Sequence, residues 1–382
     1  AGTGVGINAL LSRQLGEGKK EDAKKTADNA VFLGIIASLA FAIFGLLATK
    51  VFFDAQTANE NIRNLGYSYM YIVTIFSFGI ILEITFERIL QSTGKTVYNM
   101  ITQGLGAIIN IILDPILIFG LLGAPRLGIA GAAIATVFGQ IVAMILSFIF
   151  NMKYNEEVKI GSGVFKPNIK IIKGIYRVGI PSIAMQSMST IMILALNRIL
   201  ISFSDMAVSV LGIYFKLQSF VFMPLFGLNN GMTPIVAYNY GAGNRERIVK
   251  TIKYAIIASI GIMIVGTGMF WMFTKELIMM FSSDEAMIAM GIPAIRISSM
   301  CFIMAAFDVV AIGVFQSLGE GLYALYASFL RQLVLILPFA YILSKFVSLD
   351  AVWYAIPLAE LGCMFFDIFL FRRVYVKRIA KL

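Results

Sequence analysis

LGEGKKEDAKKT at residues 15–26 returns as YGAGNRERIVKT at residues 240–251. Gly16, Gly18, Glu21, Lys25 and Thr26 recur as Gly241, Gly243, Glu246, Lys250 and Thr251, a shift of 225 positions (241 − 16). The same shift carries QSTGKTVY (91–98) onto QSLGEGLY (316–323), matching Gln91, Ser92, Gly94 and Tyr98 to Gln316, Ser317, Gly319 and Tyr323. Gly66 likewise meets Gly291, and Glu83 meets Asp308. One offset held without a gap from Gly16 to Tyr98 marks a duplicated unit.

The duplicated unit is too apolar for a water-soluble domain. Of 382 residues, 59% are hydrophobic and 14% charged, with a mean hydropathy of +0.85. Runs long enough to cross a bilayer, about 20 residues each, recur along the chain. Eleven fall near 1–15, 26–52, 66–91, 97–122, 127–152, 175–203, 206–239, 249–274, 287–317, 322–346 and 350–372, the first incomplete. Only internally bonded backbones survive in lipid and the runs are too long for barrel strands, so all are expected to be helices. The fold class is an all-α polytopic membrane protein of two pseudo-symmetric six-helix bundles. An even number of helices separates the copies, which relates them by an axis along the membrane normal. The expected domains are an N-terminal lobe at 1–152, a basic, Gly-containing cytoplasmic linker at 153–174 and a C-terminal lobe at 175–382. Ala1 lies inside an apolar run, and the helix at 175–203 finds no counterpart in the first copy. Both observations imply one more helix ahead of this chain, making six plus six.

A net charge of +10 raises nucleic acid as a partner, but the charge follows topology instead. Of 31 Lys and Arg, five lie within spans (Arg88, Arg198, Lys216, Arg296, Arg331) and five on one set of loops (Lys50, Arg63, Arg126, Lys275, Lys345). The remaining 21 (31 − 5 − 5) lie on the alternate loops, which makes that side cytoplasmic and the C-terminus with it. The absence of histidine excludes Ser/His/Asp and Cys/His catalysis and His-based metal sites. Cys301 and Cys363 fall inside spans, which argues against a disulfide framework or a metal knuckle. TGKT at 93–96 ends like a phosphate loop, but Ile89 stands where that loop needs glycine and a span precedes it. The GEG and GAG turns read as helix C-caps rather than phosphate cradles. No paired Asp-rich motif for prenyl-phosphate chemistry is present, so an intramembrane enzyme is disfavoured.

Chemistry concentrates in residues 104–139, where Asn110, Asp114 and Thr136 interrupt two apolar runs. A carboxylate at a bilayer centre costs about 2.5–3.5 kcal/mol on insertion scales, so it faces a cavity or a partner. Asn110 and Asp114 are four residues apart and share a helix face, where amide and carboxylate converge on one small cation or a proton. The bland alternative has Asp114 satisfying backbone groups freed by Pro115. Glu83 and Asp308 are a second, repeat-related pair of acids. Glu83 has Arg88 or Glu87 for company, whereas Asp308 has no basic residue one turn away. Glu360 and Asp367 lie near Arg372, where a snorkelling role is expected. Arg198, Lys216, Arg296 and Arg331 are the available partners for these acids. Most Met and Phe residues are lipid-facing or core, but Met185, Gln186, Met192, Phe215 and Phe222 could line a plastic cavity for organic cations. At the 225 shift Asn110, Asp114 and Thr136 become Leu335, Phe339 and Leu361. The polar cluster was not duplicated, and the lobes are chemically unequal.

GLNNGMTPIVAYNYGAGN (227–244), NIILDPILIF (110–119) and GIAGAAIAT (128–136) resemble the multidrug and toxic compound extrusion (MATE) family, over essentially the whole chain. The resemblance implies a secondary active antiporter of twelve helices in two lobes. It would export cationic amphiphilic drugs and toxins in exchange for H+ or Na+ by alternating access, and it is not an enzyme. The family's first-lobe cation or proton site maps onto Asn110, Asp114 and Thr136, with Tyr69 as the candidate for its tyrosine between Tyr67 and Tyr71. The family's first-helix Asp has no counterpart in this chain. An acid on the tenth helix of some members corresponds in position to Asp308. The resemblance further implies no cofactor beyond the coupling ion, and no metal beyond Na+ at Asn110, Asp114 and Thr136. Small-molecule cations and the lipid bilayer are the implied partners, without nucleic acid, for a functional monomer in the plasma (inner) membrane. The alternatives are a flippase of lipid-linked oligosaccharide from the same superfamily, which should carry more basic residues in its spans to meet a pyrophosphate, and the intramembrane enzyme.

Overall fold

The computed structural model describes residues 2–56, 59–348 and 350–382, and every regular element among them is helical. Two compact units divide the chain, one formed by Leu10–Gly174 and the other by Gly2–Ala9 with Ile175–Leu382. The first unit holds the end of α1 (Gly2–Gly16), then α2 (Lys20–Gln56), α3 (Glu60–Ile75), α4 (Phe78–Ser92), α5 (Thr96–Phe119) and α6 (Ile129–Tyr154). The second begins within α7 (Ile169–Ile201) and continues through α8 (Asp205–Gly241), α9 (Arg245–Met272), α10 (Thr274–Met279), α11 (Glu285–Ser299) and α12 (Phe302–Ser317). It ends with α13 (Gly321–Phe329), a π-helical segment (Leu330–Ile336), α14 (Leu337–Phe346) and α15 (Ala355–Val374).

Eight described helices are long and apolar enough to cross a membrane, and the bent pairs α3–α4 (44°) and α11–α12 (49°) raise the number to ten. Together with the 15 residues of α1, these are the eleven apolar runs of the sequence. Two runs expected as single spans, 66–91 and 287–317, are therefore broken. Side-chain donors compete for backbone carbonyls at both breaks. Thr74 Oγ1 donates to the Met70 carbonyl (2.6 Å), and Ser299 Oγ donates to the Arg296 carbonyl (3.0 Å). Elsewhere helices start on side-chain caps. Asn59, Ser204 and Asp284 accept from backbone N–H groups of the first turn.

The duplication is visible in the backbone. Gly18 (φ 73°) and Gly243 (φ 69°) are 225 residues apart, as are Gly94 (φ 77°) and Gly319 (φ 75°). All four turn in the left-handed region where a side chain is strained, and each follows a helix end.

Residues 2–9 depart from the 1–152 boundary read from sequence, because they group with the second unit. Gly2 and Gly6 are the local reason. A Cβ on either would strike the Ile183 or Ile175 backbone, so only glycine permits this packing. The stretch 153–174 is tied to the first unit. Asp28 Oδ1 accepts from the Gly161 N–H (2.8 Å), and Asn29 Oδ1 from the Asn168 N–H (2.7 Å).

Leu39, Phe41, Ile43, Leu46, Leu47 and Val51 of α2 are all exposed, Leu47 at 74%. Such a row matches a lipid face rather than a water-facing one. Four of the largest fully buried side chains of the second unit, Trp353, Tyr214, Phe270 and Phe302, gather in one cluster around α8 and α12.

Candidate functional site

In the first unit, α5 and α6 approach until glycine meets glycine. A Cβ on Gly139 would lie 2.7 Å from the Gly106 carbonyl oxygen. One turn beyond Gly106, Asn110 reaches across the seam. Its Nδ2 donates to Asp114 Oδ1 (3.4 Å) on its own helix and to Thr136 Oγ1 (3.3 Å) on α6. All three side chains are half-buried. Carboxylate, amide and hydroxyl are hard donors of the kind that suit Na+ or a proton and do not suit soft metals. Three of the four residues singled out for this site therefore meet. Tyr69, on α3, is 38% exposed and has no hydrogen bond to the other three among the described residues.

Glu83 is buried on α4 at 6% exposure, one turn from Glu87. Glu87 is satisfied by Thr102 Oγ1 (3.1 Å) and Gln103 Nε2 (2.8 Å). Arg88 donates to Gln91 Oε1 (2.7 Å).

The second unit contains a cavity of about 380 Å³ between α7, α8, α12, the π-helical segment and α15. Met192, Phe215 and Phe222 line it, as does Phe226. Met185 and Gln186 do not. Met185 packs on the other hydrophobic cluster of the unit, and Gln186 Nε2 donates to the Ser182 carbonyl (3.3 Å). One wall is polar. Arg331 Nη1 and Glu360 Oε1 form an ion pair at 3.3 Å, and Ser189 Oγ donates to Gln332 Oε1 (3.1 Å). Arg331 and Gln332 lie in the π-helical segment, a distortion that re-aims side chains inside a helix.

Behind that wall lies a cluster the sequence reading did not assemble. Asp308, Cys363 and Asp367 bring their ligand atoms within 4.8 Å of one another. Asp308 and Asp367 are both 0% exposed, and among the described residues no donor other than the neighbouring carboxyls of Glu360 and Asp367 reaches the Asp308 oxygens. The snorkelling role expected for Glu360 and Asp367 is corrected, because both turn into the core, at 4% and 0% exposure, rather than towards Arg372. The cue was the spacing Ile356, Glu360, Cys363, Asp367, one stripe along α15. Of the other arginines and lysines considered as partners, Arg296 is engaged by Thr274 Oγ1 and the Trp271 carbonyl, and Lys216 lies over the Phe281 ring. Both cysteines are free and buried.

A polytopic helical membrane protein with hard oxygen donors half-buried in one unit and an aromatic cavity in the other is built as a transporter. The chain belongs to the MatE family, whose model matches residues 1–116 and 181–342. It is thus a multi-pass MATE transporter and not an enzyme. It is 28% identical over 366 residues to the multidrug export protein MepA of Staphylococcus aureus (strain N315), covering 94% of this chain and 78% of that protein. The MepA of Staphylococcus haemolyticus is 26% identical over 367 residues, covering 96% and 80%. Among solved structures, an outward-facing multidrug resistance MATE transporter of the MOP superfamily superposes with a TM-score of 0.93 at 25% identity, covering 100% of this chain and 85% of that one. A MOP superfamily transporter of Pyrococcus furiosus, described as having a binding pocket of reverse polarity, gives 0.93 at 26% identity, covering 99% and 84%.

Proposed function

We propose that this chain exports cationic amphiphilic compounds in exchange for H+ or Na+ by alternating access. It works as a monomer in the plasma membrane with its C-terminus cytoplasmic, in two lobes on either side of the linker at 153–174. The likeness to the staphylococcal multidrug export proteins supports the substrate class. One observation carries the coupling site. Asn110 bridges Asp114 on its own helix and Thr136 on the next, so a carboxylate, an amide and a hydroxyl converge where a small cation or a proton would be held.

The energetics are adequate. Holding a hundredfold gradient of a neutral compound takes about 2.7 kcal/mol. One charge moving down about 120 mV supplies about 2.8 kcal/mol. A cationic substrate needs a larger ion count or a chemical gradient.

The test is ethidium transport into inverted vesicles, driven in turn by a proton and a sodium gradient. Asp114→Asn, checked for folding by gel filtration, is expected to bring transport to background under the coupling gradient. Undiminished transport under both gradients overturns the assignment.

A further inference from the structure

The wall of the second unit's cavity continues into the buried acid cluster along two helices at once. At the start of α12, its N-cap Cys301 and Ala305 line the cavity, and Asp308 is the next residue on that face. On α15, Ile356 and Glu360 line it, and Cys363 and Asp367 follow one and two turns deeper. Arg331 stands between. It pairs with Glu360 at the cavity wall (3.3 Å), and its other electrostatic partners include Asp308 and Asp367.

Three carboxyl groups thus share one guanidinium, and Asp308, fully buried like Asp367, has no hydrogen-bond partner other than its neighbouring carboxyls. The Arg331–Glu360 contact is a single long bond, not a bidentate clamp. A buried guanidinium offered two alternative sets of carboxylates is a two-position element. Most of the remaining lining is aromatic and aliphatic, with Tyr214, Phe215, Phe222 and Phe226 gathered on α8 beside Gln218 and Ser219. Aromatic faces and a carboxylate together recognise a lipophilic monocation.

We infer that this cavity is a binding site for a lipophilic monocation that pairs with Glu360 by displacing Arg331 onto Asp308 and Asp367. The inference rests on the reading of the protein as an exporter of cationic amphiphiles and locates a substrate chamber within the second unit. Asp308 then acts as a positioning residue that receives the displaced guanidinium without touching the ligand.

The test uses the protein in lipid nanodiscs with radiolabelled tetraphenylphosphonium, a monocation without hydrogen-bond donors. Glu360→Gln is expected to weaken binding roughly tenfold or more. Asp308→Asn is expected to weaken it about threefold while raising the melting temperature, since one of three buried carboxyls crowded on a single guanidinium is removed. A purely structural Asp308 predicts the higher melting temperature with unchanged binding, and that result overturns the inference. Glu360→Gln binding within twofold of the unaltered protein overturns it too. Ser219→Trp, which fills the cavity from its wall, should abolish binding and does not depend on charged-residue variants folding; retained binding overturns the inference. Asp114→Asn is expected to bind tetraphenylphosphonium normally. No binding by the unaltered protein would count against the cationic-substrate reading itself. Binding that is lost in Asp114→Asn but insensitive to Glu360→Gln would spare that reading and overturn only the chamber.

Discussion

Asn110, Asp114 and Thr136 in the first unit and Asp308, Arg331, Glu360, Cys363 and Asp367 in the second occupy different places in a repeated frame. Moving the second set back by 225 residues gives Glu83, Gly106, Ala135, Phe138 and Val142. The exchange of Gly106 for Arg331 is the most informative. In the first unit Gly106 and Gly139 let two backbones touch, and that closeness lets Asn110 span to Thr136. In the second unit a guanidinium stands at the equivalent position, Met364 replaces Gly139, and the helix relaxes into a π-helical segment. Duplication kept what depends on backbone geometry, the left-handed turns at Gly18 and Gly243 and at Gly94 and Gly319, and the two bent pairs. It left the interiors free to diverge, because an interior must only fill its volume and balance its charge.

Arg331→Met breaks the comparison most severely. It leaves Asp308, Glu360 and Asp367 without their cation, and the expected loss is about 3–5 kcal/mol of stability, read as a lowered melting temperature in detergent. A melting temperature equal to that of the unaltered protein would show that these carboxyls need no counter-charge.

Gly139→Ala sharpens the other side. Its Cβ would press on the Gly106 carbonyl oxygen at 2.7 Å, so α5 and α6 must part, at a cost of about 1–3 kcal/mol. Ion-driven transport should fall with it as Asn110 loses Thr136. Met364→Ala, the counterpart in the second unit, should not separate its helices, and equal transport losses in the two variants would deny the asymmetry.

The smallest effect concerns the turn after α12. Glu320 Oε1 accepts from Arg378 Nη2 (2.6 Å) and Lys377 Nζ (3.3 Å) and so ties down the segment Tyr375–Ile379. Its counterpart at the 225 shift is Lys95, which makes no such latch possible in the first unit. Burial pushes the Glu320 carboxyl up, but the hydrogen bonds and charges of Arg378 and Lys377 outweigh it and hold the group below its usual value. With the folded pKa depressed, the stabilisation is full above about pH 4.3, the unfolded value, and is lost as pH falls through the folded one. Hydrogen exchange at residues 375–379 should therefore accelerate on acidification, and Glu320→Gln should show the fast exchange at neutral pH. Exchange that ignores both pH and substitution would remove the latch.

The legible parts are those written in local chemistry. Apolar runs and the repeat were enough for the helices and the duplication, and the four-residue spacing of Asn110 and Asp114 was enough to place both on one face. The breaks at 75–78 and 299–302 were hidden, because Thr74 and Ser299 read as ordinary polar residues until their bonds to carbonyls are seen. Met192, Phe215 and Phe222 were legible as a cavity set only by residue type, which is why Met185 and Gln186 came along with them.

The sequence by itself determined that the chain is helical, membrane-spanning and duplicated, and that its two halves differ in their polar residues. Only the tertiary structure decided that Asn110 meets Thr136 and that Arg331, 29 positions from Glu360 (360 − 331), is its partner. Spacing along one helix fixes a face within a turn or two, but a contact between helices depends on how closely their backbones pack. Here glycines at one seam and a π-helical segment at the other decided it.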